Sequence, residues 1–97
     1  MPVAQLTIEI RIEGARSLKD KRQVVRSLKD KLRAHFNVAV AEVEAMDVWQ
    51  RATVAVVSVS DSRDYLAGLM QKVEGSAERI VRDAGGEVVD TFVEISG

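Results

Sequence analysis

Cysteine is absent from these 97 residues, so no disulfide framework, thiolate zinc site or cysteine nucleophile can be built. Histidine occurs once, at His35, and no cluster of ligand side chains at metal-binding spacing accompanies it. Neither a metal nor a cofactor is therefore expected. A glycine-rich phosphate loop is missing too, since only Gly14 follows the first apolar segment. No apolar stretch approaches the ~20 residues of a membrane span. The opening MPVAQLTIEI has neither a basic segment nor a long apolar run, which argues against a signal peptide. With 46% hydrophobic and 30% charged residues, the composition is that of an ordinary soluble domain. A cytoplasmic protein without a membrane partner is the expectation. The length suits one domain, residues 1–97, able to bury roughly 60–70% of its unfolded surface. No linker or low-complexity tract divides it.

What is present is strong periodicity. In residues 5–13, QLTIEIRIE, Leu6, Ile8, Ile10 and Ile12 alternate with Gln5, Thr7, Glu9, Arg11 and Glu13. A period of two with one polar face predicts a strand covered on one side. Ser17 is a suitable N-cap, with Asp20 three positions on as an approximate capping box. Leu18, Val25, Leu28, Leu32 and Phe36, widened by Val24, predict a helix over 18–36, and Asn37 suits a left-handed residue after it. The Val-rich segments 38–46 and 51–60 read as a hairpin around the turn Asp47-Val48-Trp49-Gln50. Apolar parity shifts between Val40 and Val43, which predicts a bulge or a twisting edge strand. Asp61 or Ser62 opens a second helix over 63–84, striped by Leu66, Leu69, Met70, Val73, Ala77, Ile80, Val81 and Ala84. Gly85-Gly86 stops it. The last strand covers 87–95, with Val89, Thr91, Val93 and Ile95 on one side. The order β-α-β-β-α-β predicts an α+β, ferredoxin-like split βαβ fold. Its four-stranded antiparallel sheet takes the order 4-1-3-2, with both helices on one face.

The net charge of -1 hides a segregation. Residues 16–35 hold eight bases and two acids, leaving six bases and thirteen acids elsewhere. At about 100° per residue, Lys19, Arg22, Arg26, Lys29 and Arg33 fall within roughly 80° of arc on the first helix. Like charges at these spacings repel by a few tenths of a kcal/mol per pair. Either the stripe contacts the phosphates of RNA or another anionic surface, or it is a solvated face met by acids from neighbouring elements. Arg16 and Ser17, with the free N–H groups of the helix start, have the parts of a phosphate site, as almost every capped helix does. Lys21 points into the apolar face. It either snorkels out past the sheet end or pairs with Glu42 or Glu44, which share a strand face.

The strands expected at the sheet centre present no aromatic side chain, unlike RNA-recognition motifs of the same topology. RNA binding, if it occurs, falls to the helix. Met46, Val48 and Trp49, the single Trp, form an apolar hairpin tip. It folds onto the domain edge or anchors a contact with a second copy or another protein. The open sheet face offers a second route to a homo-oligomer. An acylphosphatase-like hydrolase is a minor alternative, with Arg16 binding phosphate and Asn37 orienting water, although the loop lacks that family's longer glycine-containing cradle.

Taken together, SLKDKRQVVRSLKDKL, the Asn37-Val38 pair, Ala41-Glu42 and Trp49-Gln50 resemble the YlxP-like family of small uncharacterised bacterial proteins, over essentially the whole chain. The resemblance implies a ferredoxin-like fold and a domain of unknown function. The family's genes commonly neighbour those of translation initiation and ribosome maturation, which implies RNA or ribosome association and supplies no catalytic residue. The reading is a non-enzymatic cytoplasmic protein contacting RNA through the basic helix, or alternatively a homo-oligomeric interaction module.

Overall fold

The computed structural model describes all 97 residues. Six elements follow in the order β1 (Val3–Arg11), α1 (Leu18–His35), β2 (Ala39–Glu44), β3 (Arg51–Val59), α2 (Arg63–Asp83) and β4 (Glu87–Ser96). The sheet is antiparallel throughout, in the order β2-β3-β1-β4. This is the ferredoxin-like topology expected from the sequence, with β1 and β3 at its centre.

The pleat explains the packing. Ala4, Leu6, Ile8 and Ile10 of β1 stand beside Ser58, Val56, Val54 and Ala52 of β3 in register, and all are buried. Val24, Val25, Leu28 and Leu32 of α1 join Leu66, Met70, Val73, Ala77 and Val81 of α2 to cover that face in one core. Each Val, Leu, Ile or Met side chain removed from water in this way is worth roughly 1.5–3 kcal/mol. The opposite face stays open to solvent. No helix is long and apolar enough to cross a membrane.

Caps set the helix limits. Ser17 Oγ accepts from Asp20 N at 3.2 Å, and Ser62 Oγ accepts from Tyr65 N at 3.1 Å. At the end of α2, Gly85 N donates to Arg82 O and Gly86 N to Val81 O, a Schellman pair. Gly85 has φ +98, while a Cβ on Gly86 would meet Val81 Cγ1 at 3.0 Å and Arg11 O at 3.2 Å. Two different requirements, conformation and room, thus put two glycines in succession.

Three local expectations change. Phe36 leaves α1 in an extended conformation, and Asn37 has no positive φ. The backbone turns out of the helix through the extended region instead of the left-handed one. In β4 the register against β1 slips between Glu9 and Ile10, so Val88 faces the core and Val89 is exposed. In β2 the register slips between Glu42 and Glu44, the irregularity that the parity shift predicts, and the expectation that changes is the shared face of the two glutamates. That bulge separates the two glutamates: Glu42 is on the helix side, while Glu44 pairs with Thr53 on the open side.

Candidate nucleic-acid interface

Helix α1 is amphipathic with a charged outer side. Its buried positions are Lys21, Val24, Val25, Leu28 and Leu32. The other flank carries Lys19, Arg22, Arg26 and Arg33, all exposed, and Lys29, half-buried. From Lys19 to Arg33 the ridge spans about 21 Å at 1.5 Å per residue. No carboxylate lies within 4.0 Å of any of the five cations, because the one ion pair of the molecule is elsewhere.

Two shallow depressions flank the ridge. One is lined by Lys19, Arg22, Gln23, Arg26, Ser27 and Asp30 and contains no apolar side chain. The other lies between α1 and the edge strand β2, where Arg22, Arg26, Lys29 and Arg33 face Ala41, Glu42 and Met46. Asp30 borders both. It is the ridge's one acidic neighbour on the helix, exposed and unpaired, and its position follows from the wheel, where it falls about 20° beyond Lys19.

The single ion pair is Lys21 Nζ to Glu42 Oε2 at 2.7 Å. Lys21 is 1% exposed and Glu42 14%. The approach is that of an ion pair without hydrogen-bond alignment, and Glu42 Oε2 has no other polar partner. The same ammonium donates to Ala45 O, just past the end of β2. A lysine on the apolar stripe is thereby explained: it ties α1 to the edge strand and to the start of the following turn.

That turn is also tied to the loop before α1. Gln50 Nε2 donates to Glu13 O at 3.2 Å and to Ala15 O at 3.4 Å, and Gln50 O accepts from Ile12 N at 2.9 Å. Between these ties stand Met46, Val48 and Trp49, all exposed, with Trp49 at 50%. Ala45 adopts φ 56 to start the turn. The clamping role of Gln50 was not visible in the sequence, since an amide beside a tryptophan has no signature of its own.

Other candidate residues fall apart in space. The backbone amide of Arg16 donates to Asp20 Oδ2 at 2.9 Å and Ser17 Oγ accepts from Asp20 N, so these two groups are engaged within the chain, while the exposed Arg16 guanidinium takes no part in either bond. Arg16 precedes α1 and Asn37 follows it, at opposite ends of a helix about 27 Å long. They do not share a site as an acylphosphatase pair would. His35 borders a separate depression with Phe36, Asn37, Asp64, Tyr65 and Lys72.

The open sheet face has a different character. By register it presents Gln5, Thr7 and Glu9 of β1 beside Val57, Ala55 and Thr53 of β3. Phe92, 62% exposed, stands next to Thr7 on the edge strand β4, between Asp90 and Glu94. Five acids on this face (Glu9, Glu44, Glu87, Asp90 and Glu94) outnumber Arg11 and Arg51. Basic and acidic charge therefore occupy opposite sides of the molecule.

Among solved structures, the chain is similar to a dimeric ferredoxin-like protein of unknown function from Thermobifida fusca, with a TM-score of 0.54 and 17% identity. The match covers 100% of this chain and 91% of that one. It is also similar to a C-terminal segment of the alpha subunit of aIF2 from Pyrococcus abyssi, with a TM-score of 0.53 and 12% identity. That match covers 100% of this chain but 52% of the other. At these identities the likeness is one of fold. In sequence the chain is 36% identical to the uncharacterized protein YlxP of Bacillus subtilis (strain 168) over 62 residues, 64% of this chain and 67% of the relative. The family described as "Protein of unknown function (DUF503)" matches residues 3–92, and the chain belongs to it.

Proposed function

We propose that this protein is a non-enzymatic, cytoplasmic RNA-binding factor that associates with ribosomal particles through α1. One observation carries the reading: five cations share one flank of a helix, four exposed and Lys29 half-buried, and none has a carboxylate within 4.0 Å. A helix arranged for stability alone would alternate signs on that flank. Phosphates at the ridge relieve the mutual repulsion and release counterions, which is the main source of sequence-independent affinity. The acidic open face repels the same polymer, so the charge segregation also orients the protein on it. The absence of aromatic side chains on the open faces of β1 and β3 argues that the sheet is not the platform. The implication of the YlxP-like resemblance points the same way.

Filter binding of ribosomal RNA at low salt tests the proposal. The triple variant Arg22→Glu, Arg26→Glu, Arg33→Glu is expected to lose measurable binding while keeping the helical content of the parent. Equal binding by parent and variant would overturn it.

A second reading has its own support. Val57, Ala55 and Thr7 make a flat, half-apolar centre on the open face, next to exposed Phe92 and Val59. Such a face suits a second copy of the chain, and the Thermobifida neighbour is described as dimeric. Sedimentation equilibrium decides it: a dimer that weakens in Phe92→Ala supports this reading, and a monomer at all concentrations removes it.

A further inference from the structure

The hairpin tip, residues 45–50, is anchored at both ends beside the N-terminal end of the basic ridge, yet its large apolar side chains are left in solvent. Its fixation is polar. Lys21 Nζ holds Ala45 O, Gln50 Nε2 holds Glu13 O and Ala15 O, and Val48 N donates to Ala45 O at 3.1 Å. None of these ties buries Met46, Val48 or Trp49, which stay 59%, 39% and 50% exposed. Met46 shares its depression with Arg22, Arg26, Lys29 and Arg33, so the start of the apolar tip borders the cations, and Trp49 lies three residues further along the same turn. The other exposed aromatic side chains lack this setting. Phe92, in sheet register with Thr7, stands between Asp90 and Glu94, and Tyr65 follows Asp64 at the start of α2.

A ridge of cations bordered by an apolar turn that carries an exposed indole matches a polymer with regular negative charge and flat aromatic groups. We infer that the surface takes single-stranded RNA, with phosphates along α1 and one unpaired base stacked on Trp49. This rests on the RNA-binding reading above and narrows it to unpaired RNA. A duplex offers its phosphates to the ridge but keeps its bases stacked inside. An unpaired strand satisfies both halves of the surface. Stacking on one aromatic side chain changes affinity by about 5- to 150-fold.

Trp49 is the single Trp of the chain, so fluorescence excited at the long-wavelength edge, where Tyr65 does not absorb, reports on this residue alone. The experiment titrates the protein at low salt with a 12-nucleotide adenosine oligoribonucleotide and with an RNA duplex of 12 base pairs. Binding is followed by fluorescence and, independently, by filter retention. The expected result is fluorescence quenching by the single strand with the midpoint seen by filter retention. Trp49→Ala then weakens single-strand binding at least 5-fold and duplex binding less than 2-fold, and Trp49→Phe retains most of the affinity. Unchanged single-strand affinity in Trp49→Ala, with binding still abolished by the triple arginine reversal, overturns the stacking while leaving phosphate binding by α1 in place. Failure of the parent to bind either RNA removes the RNA-binding reading and this inference together.

Discussion

Lys21 Nζ and Glu42 Oε2 stand 2.7 Å apart as the molecule's one ion pair, joining the buried side of α1 to the edge strand β2. The remaining charged side chains of α1 make no such contact. The helix therefore uses one cation to hold the fold and leaves the five of the ridge, and Lys31 beside them in sequence, without a carboxylate partner. The distinction between a structural and an available cation is the basis of the account.

Removing one partner of that pair leaves the other enclosed without compensation. Lys21→Met is expected to lower stability by roughly 3–5 kcal/mol, the usual cost of breaking a buried pair from one side. The double variant Lys21→Met, Glu42→Leu recovers a large part of that loss, since apolar groups then replace both charges. Urea unfolding of the two single variants and the double variant measures the coupling. Strict additivity would contradict the pairing.

Charge on the outer ridge is expected to act in the opposite sense. Arg22→Glu places an acid three residues after Lys19 and four before Arg26, turning two repulsive spacings into attractive ones. Stability should rise by roughly 0.5–1 kcal/mol at low salt, while RNA affinity falls. Thermal unfolding beside filter binding reads both. A fall in stability would show that Arg22 makes a contact that holds the fold.

Ala45 has φ 56, where a Cβ is unfavourable, and it is held there by the Lys21 ammonium on its carbonyl. Ala45→Gly should raise stability by up to about 1 kcal/mol, and Ala45→Val should lower it by more than that. Denaturant midpoints of the two variants test this, with equal midpoints counting against it.

Much of this was legible from residue patterns, and the exceptions have local causes. Alternation in QLTIEIRIE and the helical stripe Leu18-Val25-Leu28-Leu32 define the core faces, because burial of period-two and period-3.6 patterns leaves few arrangements. Lys21 stood out for the same reason, as a charge on an apolar stripe. Which carboxylate it meets depends on the bulge between Glu42 and Glu44. A bulge leaves only a parity shift in sequence, and the shift does not say which glutamate keeps the inward side. The Val88 and Val89 exchange has the same origin. The five cations could be placed on one flank from spacing alone. That no acid from another element reaches them is a tertiary fact, and so is the clamp of Gln50 across to Glu13 and Ala15.

The most direct test of the central claim is the salt dependence of RNA binding. With five cations on phosphates, the logarithm of the association constant should fall against the logarithm of salt concentration with a slope of about −3.5 on single strands. In the variant Arg22→Ala, Arg26→Ala, Arg33→Ala the slope should shrink to about −1.4. A slope near zero for the parent, or an unchanged slope in the variant, would contradict the assignment of phosphate binding to α1.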